Sequence, residues 1–409
     1  MDTKYFYVST LNYDGGVYQT QIIDWLKIFR QNGLDFELVQ FLSSDPRNKQ
    51  YNKKQKESIL KAVDFPVHFL YRLPANFRLS RKINKLRFCK YTKKYLKKYN
   101  KVVLFSRSEI GPWVEKLKQS FPKQVVYYLD LRSALYPEYI LNHKANNTLS
   151  KSAFVNAAYI AFAEYKRQLL ADKIFVVSNS LKRYFIENYG SDKEKFVLYP
   201  CLSSSQKFYY DAILREQTRK KLGYEPSDNV YVYSGGILNS YHIPDAFLTL
   251  FSRISEKDSD ARILIIVKNI SPELNRMICD NDIDLKKVKI LEAVPNNEIV
   301  AYLNAADFGF LLRQDIVVNN VASPSKYAEY MLCGLPTIVS ESIHDWRDYC
   351  QETGSGIVFE NKKLNDLKNC EIKPMNKMDY DRSVIAENAK KRLSKESVID
   401  RIVSELKVK

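Results

Sequence analysis

Short runs of β-branched, aliphatic and aromatic residues alternate along the chain with longer stretches in which apolar residues recur every three or four positions. Runs of the first kind suit buried strands, and stretches of the second suit helices with one apolar face. Strands are predicted over Tyr5–Thr10, Val102–Ser106, Val125–Leu129, Ile174–Ser178 and Phe196–Tyr199. A second set follows over Val230–Ser234, Ile263–Val267, Lys289–Leu291, Phe308–Leu312 and Thr337–Ser340. Strand–helix alternation of this kind predicts an α/β fold of parallel sheets with crossover helices. The polar stretch Pro200–Asp228, with Ser203-Ser204-Ser205 and Gly223, separates the two groups of five and is the expected domain boundary. The expected organisation is a first domain over 1–205, a second over 206–385, and a helical segment over 386–409 that packs back towards the first.

A chain of 409 residues is long enough for two such domains. With 45% hydrophobic and 27% charged residues it is neither disordered, fibrous nor multi-spanning in character. The six cysteines are scattered without a C-x-x-C pair, so neither a zinc site nor a disulfide framework is expected, and a reducing cytoplasm fits best. No apolar run approaches the ~18 residues of a spanning helix, and the first residues lead straight into a strand with no signal-peptide pattern, so secretion and membrane spanning are disfavoured. The four histidines show no ligand spacing, and neither a metal nor another cofactor is expected.

Net charge is the more informative quantity. At +17 it predicts attraction to polyanions: nucleic acid, anionic lipid or phosphorylated ligands. Between Phe65 and Ser108 there is no Asp or Glu, while Arg78, Arg81, Lys82, Lys85, Arg87, Lys90, Lys93, Lys94, Lys97 and Lys98 crowd together. Phe77, Ile83, Leu86, Tyr91 and Tyr95 are interspersed, giving a basic amphipathic stretch suited to lying on anionic lipid. Gripping nucleic-acid phosphates, or simple solvation of a basic helix, are the alternatives.

Glycine marks two candidate ligand positions. Four of the twelve glycines fall in adjacent pairs, Gly15-Gly16 and Gly235-Gly236, each directly after the first strand of its half. A pair there lets backbone approach a ligand closely and offers N–H groups to an anion at the next helix. Ligands of open α/β sheets bind at these carboxyl ends. Neither pair matches a G-x-G-x-x-G or Walker A loop.

The most specific segment runs from Ala322 to Pro336. It reads as a complete short helix, with Ser323 as N-cap, Pro324 and Ser325 in the first turn, Gly334 as the left-handed stop and Pro336 barring continuation. Lys326 puts a cation where the helix dipole disfavours one, and a phosphate at that end would reconcile them. Glu329, six residues past Ser323, is placed to accept hydroxyl donors of a sugar joined to that phosphate.

These residues, with Asn297–Arg313 before them and Cys333-Gly334-Leu335-Pro336 after, resemble the donor-binding half of family 4 glycosyltransferases, retaining enzymes of the GT-B fold with two Rossmann-like domains facing across a cleft. The resemblance covers the second half closely and the first half loosely, through Asp14-Gly15-Gly16, Ile174–Ser178 and Val197-Leu198-Tyr199-Pro200. It implies that a nucleotide-sugar diphosphate sits on the helix N-terminus and that Glu329 binds the nucleoside ribose. Two departures stand out. The family's additional Glu, eight residues before the ribose-binding one, is replaced here by Val321, and no basic residues follow Gly235-Gly236. The diphosphate-binding role therefore passes to Arg313, Lys326 and Lys268. In Val125–Arg132, where many relatives carry a His facing the donor sugar, Asp130 stands closest and is the candidate catalytic group. Arg107 is the candidate for attracting an anionic acceptor.

The expected activity is transfer of a sugar from a UDP- or GDP-linked donor to a hydroxyl of a lipid-linked glycan in surface polysaccharide synthesis. The expected setting is the inner face of the plasma membrane, with no nucleic acid involved. The competing expectations are a nucleotide-sugar epimerase of the same fold and a non-catalytic binder of anionic lipid or nucleic acid.

Overall fold

The computed structural model describes residues 3–13, 16–74, 78–107, 110–236, 243–364, 366–367, 369–372 and 375–408. Its strands are β1 (Thr3–Ser9), β2 (Phe36–Ser43), β3 (Val67–Arg72), β4 (Lys101–Arg107), β5 (Val125–Leu131), β6 (Lys173–Val176), β7 (Phe196–Leu198), β8 (Asn229–Ser234), β9 (Ala261–Val267), β10 (Val288–Glu292), β11 (Phe308–Leu311), β12 (Thr337–Ser340) and β13 (Gly356–Phe359). The helices are α1 (Asp24–Gln31), α2 (Lys49–Ala62), α3 (Arg78–Leu96), α4 (Gly111–Ser120), α5 (Leu135–Ala145), α6 (Lys151–Leu170), α7 (Asn179–Tyr189), α8 (Ala212–Leu222) and α9 (Pro244–Lys257). They continue as α10 (Pro272–Asp280), α11 (Ile299–Ala305), α12 (Val317–Asn320), α13 (Ser325–Leu332), α14 (His344–Thr353), α15 (Asn361–Leu364), α16 (Arg382–Arg392) and α17 (Lys395–Leu406).

Among the described residues the strands form two wholly parallel sheets, in the orders β3-β2-β1-β4-β5-β6-β7 and β10-β9-β8-β11-β12-β13. Two compact units result. One comprises residues 1–136, 150–199 and 399–409, the other 137–149 and 200–398. The polar stretch from Pro200 belongs to the second unit.

The sheets have seven and six strands, not five each. In β2, Glu37 and Gln40 interrupt the apolar run and disguise it. Both are satisfied within the fold: Glu37 lies between Lys4 and His68, and Gln40 is fully buried and accepts the Tyr18 hydroxyl. A buried polar group without such partners would cost about 1–3 kcal/mol.

Each sheet is covered on both faces. In β8, Val230 and Val232 enter one apolar cluster with Leu264, Leu311 and Tyr330, while Tyr231 and Tyr233 enter the other with Phe247, Ile265 and Phe310. In the first unit Phe105 is ringed by Tyr7, Phe36, Phe175 and Tyr199, at centroid distances of 4.8–6.3 Å.

Helix α13 is held from its carboxyl end. Leu335 N–H donates to Tyr330 O and Gly334 N–H to Met331 O, both at 2.9 Å, with Gly334 at φ +63°; this pairing ends a helix through a left-handed residue. A Cβ on Gly334 would fall 2.2 Å from Arg382 O. The Arg382 guanidinium donates to the carbonyls of Gly334 and Cys333 after α13, and to those of Asn304 and Ala306 at the end of α11. One half-buried cation thus closes two helix ends, where the dipoles favour it. The Tyr330 hydroxyl accepts Ser234 N–H at 3.1 Å and ties α13 to the end of β8, and β11 admits its ring because residue 309 is glycine.

Arg382→Met should therefore destabilise the second unit by about 3 kcal/mol or more, through loss of charge-assisted bonds that leaves buried carbonyls unpaired. Urea denaturation of the full chain checks this, and an unchanged midpoint would contradict the assigned role.

Candidate functional site

The carboxyl edge of the second sheet gathers most of the predicted donor-site residues. Gly235 follows β8, Arg313 follows β11, and Lys326 and Glu329 lie on α13. The cap of α13 is Pro324, and no side chain caps it. Ser323, expected in that role, has its hydroxyl engaged elsewhere, accepting Cys201 N–H at 3.2 Å. With the helix starting at Ser325, the first-turn N–H groups of Ser325 and Lys326 precede the intrahelical ladder, and the positive end of the dipole stands without a side-chain acceptor.

Lys326 folds from this end towards β8. Its Nζ lies 5.5 Å from the centroid of the Tyr233 ring, and a Cβ on Gly235 would fall 1.8 Å from it. Gly235, at φ +125°, is thus required by the close approach of Lys326 as well as by its backbone. Its N–H does not serve as the expected anion donor, because it bonds Ile266 O at 2.8 Å and extends the pairing of β8 with β9. The exposed Gly236 offers its carbonyl to the Tyr233 hydroxyl at 2.6 Å.

Desolvation pulls the Lys326 ammonium down to about 8, the positive charge of Arg313 adds to the effect, and Glu329 opposes it. Burial raises the Glu329 carboxyl, while Lys326 and the hydroxyls of Ser325 and Ser203 work the other way. Ser203 Oγ donates to Glu329 Oε1 at 3.3 Å. Arg313 is nine-tenths buried and its loop is pinned to β12, its N–H donating to Ser340 Oγ at 2.7 Å and its carbonyl accepting from Ser342 Oγ at 3.1 Å. Lys326 thus feels the repulsion of Arg313 as well as the attraction of Glu329, so an anion at the amino end of α13 would favour its charged form. Lys268 does not join it; the side chain is exposed beyond β9, with no hydrogen bond or ion pair to the group among the described residues.

Tyr233, which underlies the Lys326 ammonium, and Ser203, which by sequence is only part of a polar linker, join the site without any local signal. Val321, at the position of the absent Glu, is buried.

In the first unit Asp130 and Arg107 meet at the carboxyl ends of neighbouring strands, paired in register. Asp130 is almost wholly buried. Its carboxylate accepts the Tyr7 hydroxyl at 2.9 Å and lies 2.6 Å from Arg132 Nε and 3.5 Å from Arg107 Nε. Arg132 stacks over the Tyr199 ring at 4.4 Å, and Arg107 donates to Gln21 Oε1 at 2.6 Å. Gly16 opens the helical segment that carries Gln21, its carbonyl accepting Thr20 N–H at 3.0 Å, and this segment widens into a π-turn over Gln19–Ile23 before α1. Gly15 and Asp14 lie outside the described residues.

On α3, Arg81, Lys82, Lys93 and Lys94 are exposed, as are Lys97 and Lys98 just after it, and Lys85 is partly exposed; the Arg78 side chain and Phe77 lie outside the described residues. The interspersed aromatics turn inward: Tyr91 and Tyr95 pack on Phe6 at 5.9 and 4.8 Å and on His68. The helix therefore presents cations outward with little apolar surface beyond Leu79 and Leu86. Among the described residues no helix is long and apolar enough to cross a membrane, and no group of three or more His, Cys, Asp or Glu could hold a metal ion.

No family model and no curated protein matches the sequence. Solved structures do match the fold along its whole length. The protein HepE of Anabaena, solved with UDP, is 15% identical over 98% of this chain and 99% of its own, with a TM-score of 0.67. Sucrose-phosphate synthase of Thermosynechococcus elongatus is 14% identical over 99% of both chains, with a TM-score of 0.65. WaaG, a glycosyltransferase involved in lipopolysaccharide biosynthesis, is 13% identical over 99% of this chain and 100% of its own, with a TM-score of 0.61. At these identities the likeness establishes architecture: the chain has the GT-B fold, built from two parallel-sheet, Rossmann-like units.

Proposed function

We propose that this chain is a retaining glycosyltransferase of the family 4 type, which moves a sugar from a UDP- or GDP-linked donor to a hydroxyl of a lipid-linked glycan in surface polysaccharide synthesis. The observation that carries the reading is the amino end of α13, an uncapped helix start with a desolvated Lys326 folded against it, Arg313 near enough to depress that lysine, and Glu329 one turn on. A diphosphate there would favour the charged form of Lys326, and the attached ribose would give its hydroxyl hydrogens to Glu329. Anabaena HepE, which has the same fold, was solved with UDP and with UDP-glucose, which supports a nucleotide-sugar donor.

As the glycosidic bond breaks, negative charge builds on the departing diphosphate. The Ser325 and Lys326 N–H groups, the Lys326 ammonium and the Arg313 guanidinium stabilise it with groups already in place, so no metal is required by this reading. In the first unit both carboxylate oxygens of Asp130 are engaged, which favours a positioning role: Asp130 holds Arg107 and Arg132 at the sheet edge, and Arg107 meets the acceptor. The cations of α3 hold the chain to the anionic inner face of the plasma membrane, where a lipid-linked acceptor resides.

Lys326→Ala and Glu329→Ala should each weaken UDP or GDP binding by more than about tenfold, the scale of one charge-assisted hydrogen bond, without lowering the melting temperature of the unliganded chain. Isothermal calorimetry measures this, and unchanged affinity in both variants would refute the site. Because a bound diphosphate favours protonated Lys326 and the free group titrates near 8, binding should take up a proton above that pH. Affinity should then fall by about tenfold or more between pH 8 and 10, and Lys326→Arg should flatten the profile, since arginine stays charged throughout. A flat profile in the parent chain would contradict the assignment.

A further inference from the structure

Helix α6 packs with its polarity reversed. Its buried side carries Ala153, Ala157, Glu164 and Gln168, while Phe154, Val155, Tyr159, Phe162 and Leu169 face outward. Tyr159 and Phe162 are 68% and 62% exposed. Polar bonds fix the rotation of the helix: Glu164 accepts Leu135 N–H at 3.0 Å and the Tyr189 hydroxyl at 3.2 Å, and Gln168 accepts the Ser191 hydroxyl at 2.5 Å. Turning the aromatic side inward would break all three and take the acceptors away from Leu135 N–H and the Tyr189 and Ser191 hydroxyls, so the outward stripe is built into the fold.

The charge around the stripe indicates what covers it. The exposed charged residues of α6 itself are Lys151 and Lys166. Helix α4, which packs against α6 on one side and α3 on the other, exposes Lys116, and α3 adds its acid-free row of cations. Two copies brought together through this face would oppose like charges, which disfavours a self-complementary dimer. Aromatics flanked by lysines on a surface-lying helix match an anionic lipid interface, where rings enter the headgroup boundary and ammonium groups meet phosphates.

We infer that α6 is the element that inserts into the membrane, with α3 supplying the electrostatic attraction; this rests on the membrane-surface role proposed above and names the segment that enters the lipid. The acid-free basic segment alone would give a salt-sensitive, superficial attachment. The aromatic stripe adds a component that salt does not screen.

The test uses the full chain with vesicles of equimolar phosphatidylglycerol and phosphatidylcholine. Tyr159→Ser with Phe162→Ser should weaken association about tenfold or more at physiological salt, while UDP affinity and melting temperature stay unchanged. In a separate Phe162→Trp variant, bromine-labelled lipid should quench the added tryptophan beyond any quenching in the parent chain. If the serine variant fails to fold, the tryptophan variant decides. If the parent binds vesicles but the tryptophan is not quenched and the serine variant binds equally well, the α6 assignment falls and the membrane reading survives. If the parent does not bind at all, both fall. Conversion of a parent dimer to a monomer by the serine substitutions, with vesicle binding unchanged, would show that a second copy covers the stripe and would overturn the inference.

Discussion

The asymmetry of a single eight-residue helix governs the second unit. The carboxyl end of α13 is finished twice over, by the left-handed turn at Gly334 and by the Arg382 guanidinium. Its amino end has no side-chain cap and carries a lysine where the dipole opposes one. A folded chain tolerates that imbalance when the surroundings impose it. Here they do: Tyr330 anchors the helix to β8, Gly309 makes room for the Tyr330 ring, and Gly235 makes room for Lys326. Fixing one end of the helix so firmly is what holds the other in a place it would not choose for stability alone.

The two units treat buried charge differently. In the first, Asp130 sits among Tyr7, Arg107 and Arg132, every group in contact with an opposite charge or a hydrogen-bond partner, which makes a rigid cluster. In the second, burial and the nearby charge of Arg313 both depress Lys326, against the pull of Glu329, which is itself raised by burial. Stabilising a rigid cluster and keeping a cation ready for an incoming anion are opposed demands. The proposed division of labour, with Asp130 positioning and Lys326 binding, follows from that difference.

Much of this was legible in the sequence because local rules and tertiary structure agree there. The Gly334 turn, the strand–helix alternation and the placement of Lys326 and Glu329 on one short helix follow from residue identity and spacing. What was not legible depended on partners far away in the chain. Ser323 reads as an N-cap by local preference, but Cys201 N–H takes its hydroxyl. Gly235 reads as a source of free N–H, but β9 pairs with it, and its use lies in the missing side chain. Strand β2 was hidden by Glu37 and Gln40, whose partners on β1, β3 and the first helical turn no local pattern reveals. The aromatics of α3 mislead for the same reason: the interspersed rings of Tyr91 and Tyr95 fold inward, whereas those of α6 face outward, a rotation set by the tertiary contacts of Glu164 and Gln168.

A crystal structure of the chain with UDP tests the central claim most directly. The account predicts phosphate oxygens within hydrogen-bond reach of Ser325 N–H, Lys326 N–H and Lys326 Nζ, and ribose hydroxyls on the Glu329 carboxylate. A nucleotide bound anywhere else, with the amino end of α13 bare, would contradict it.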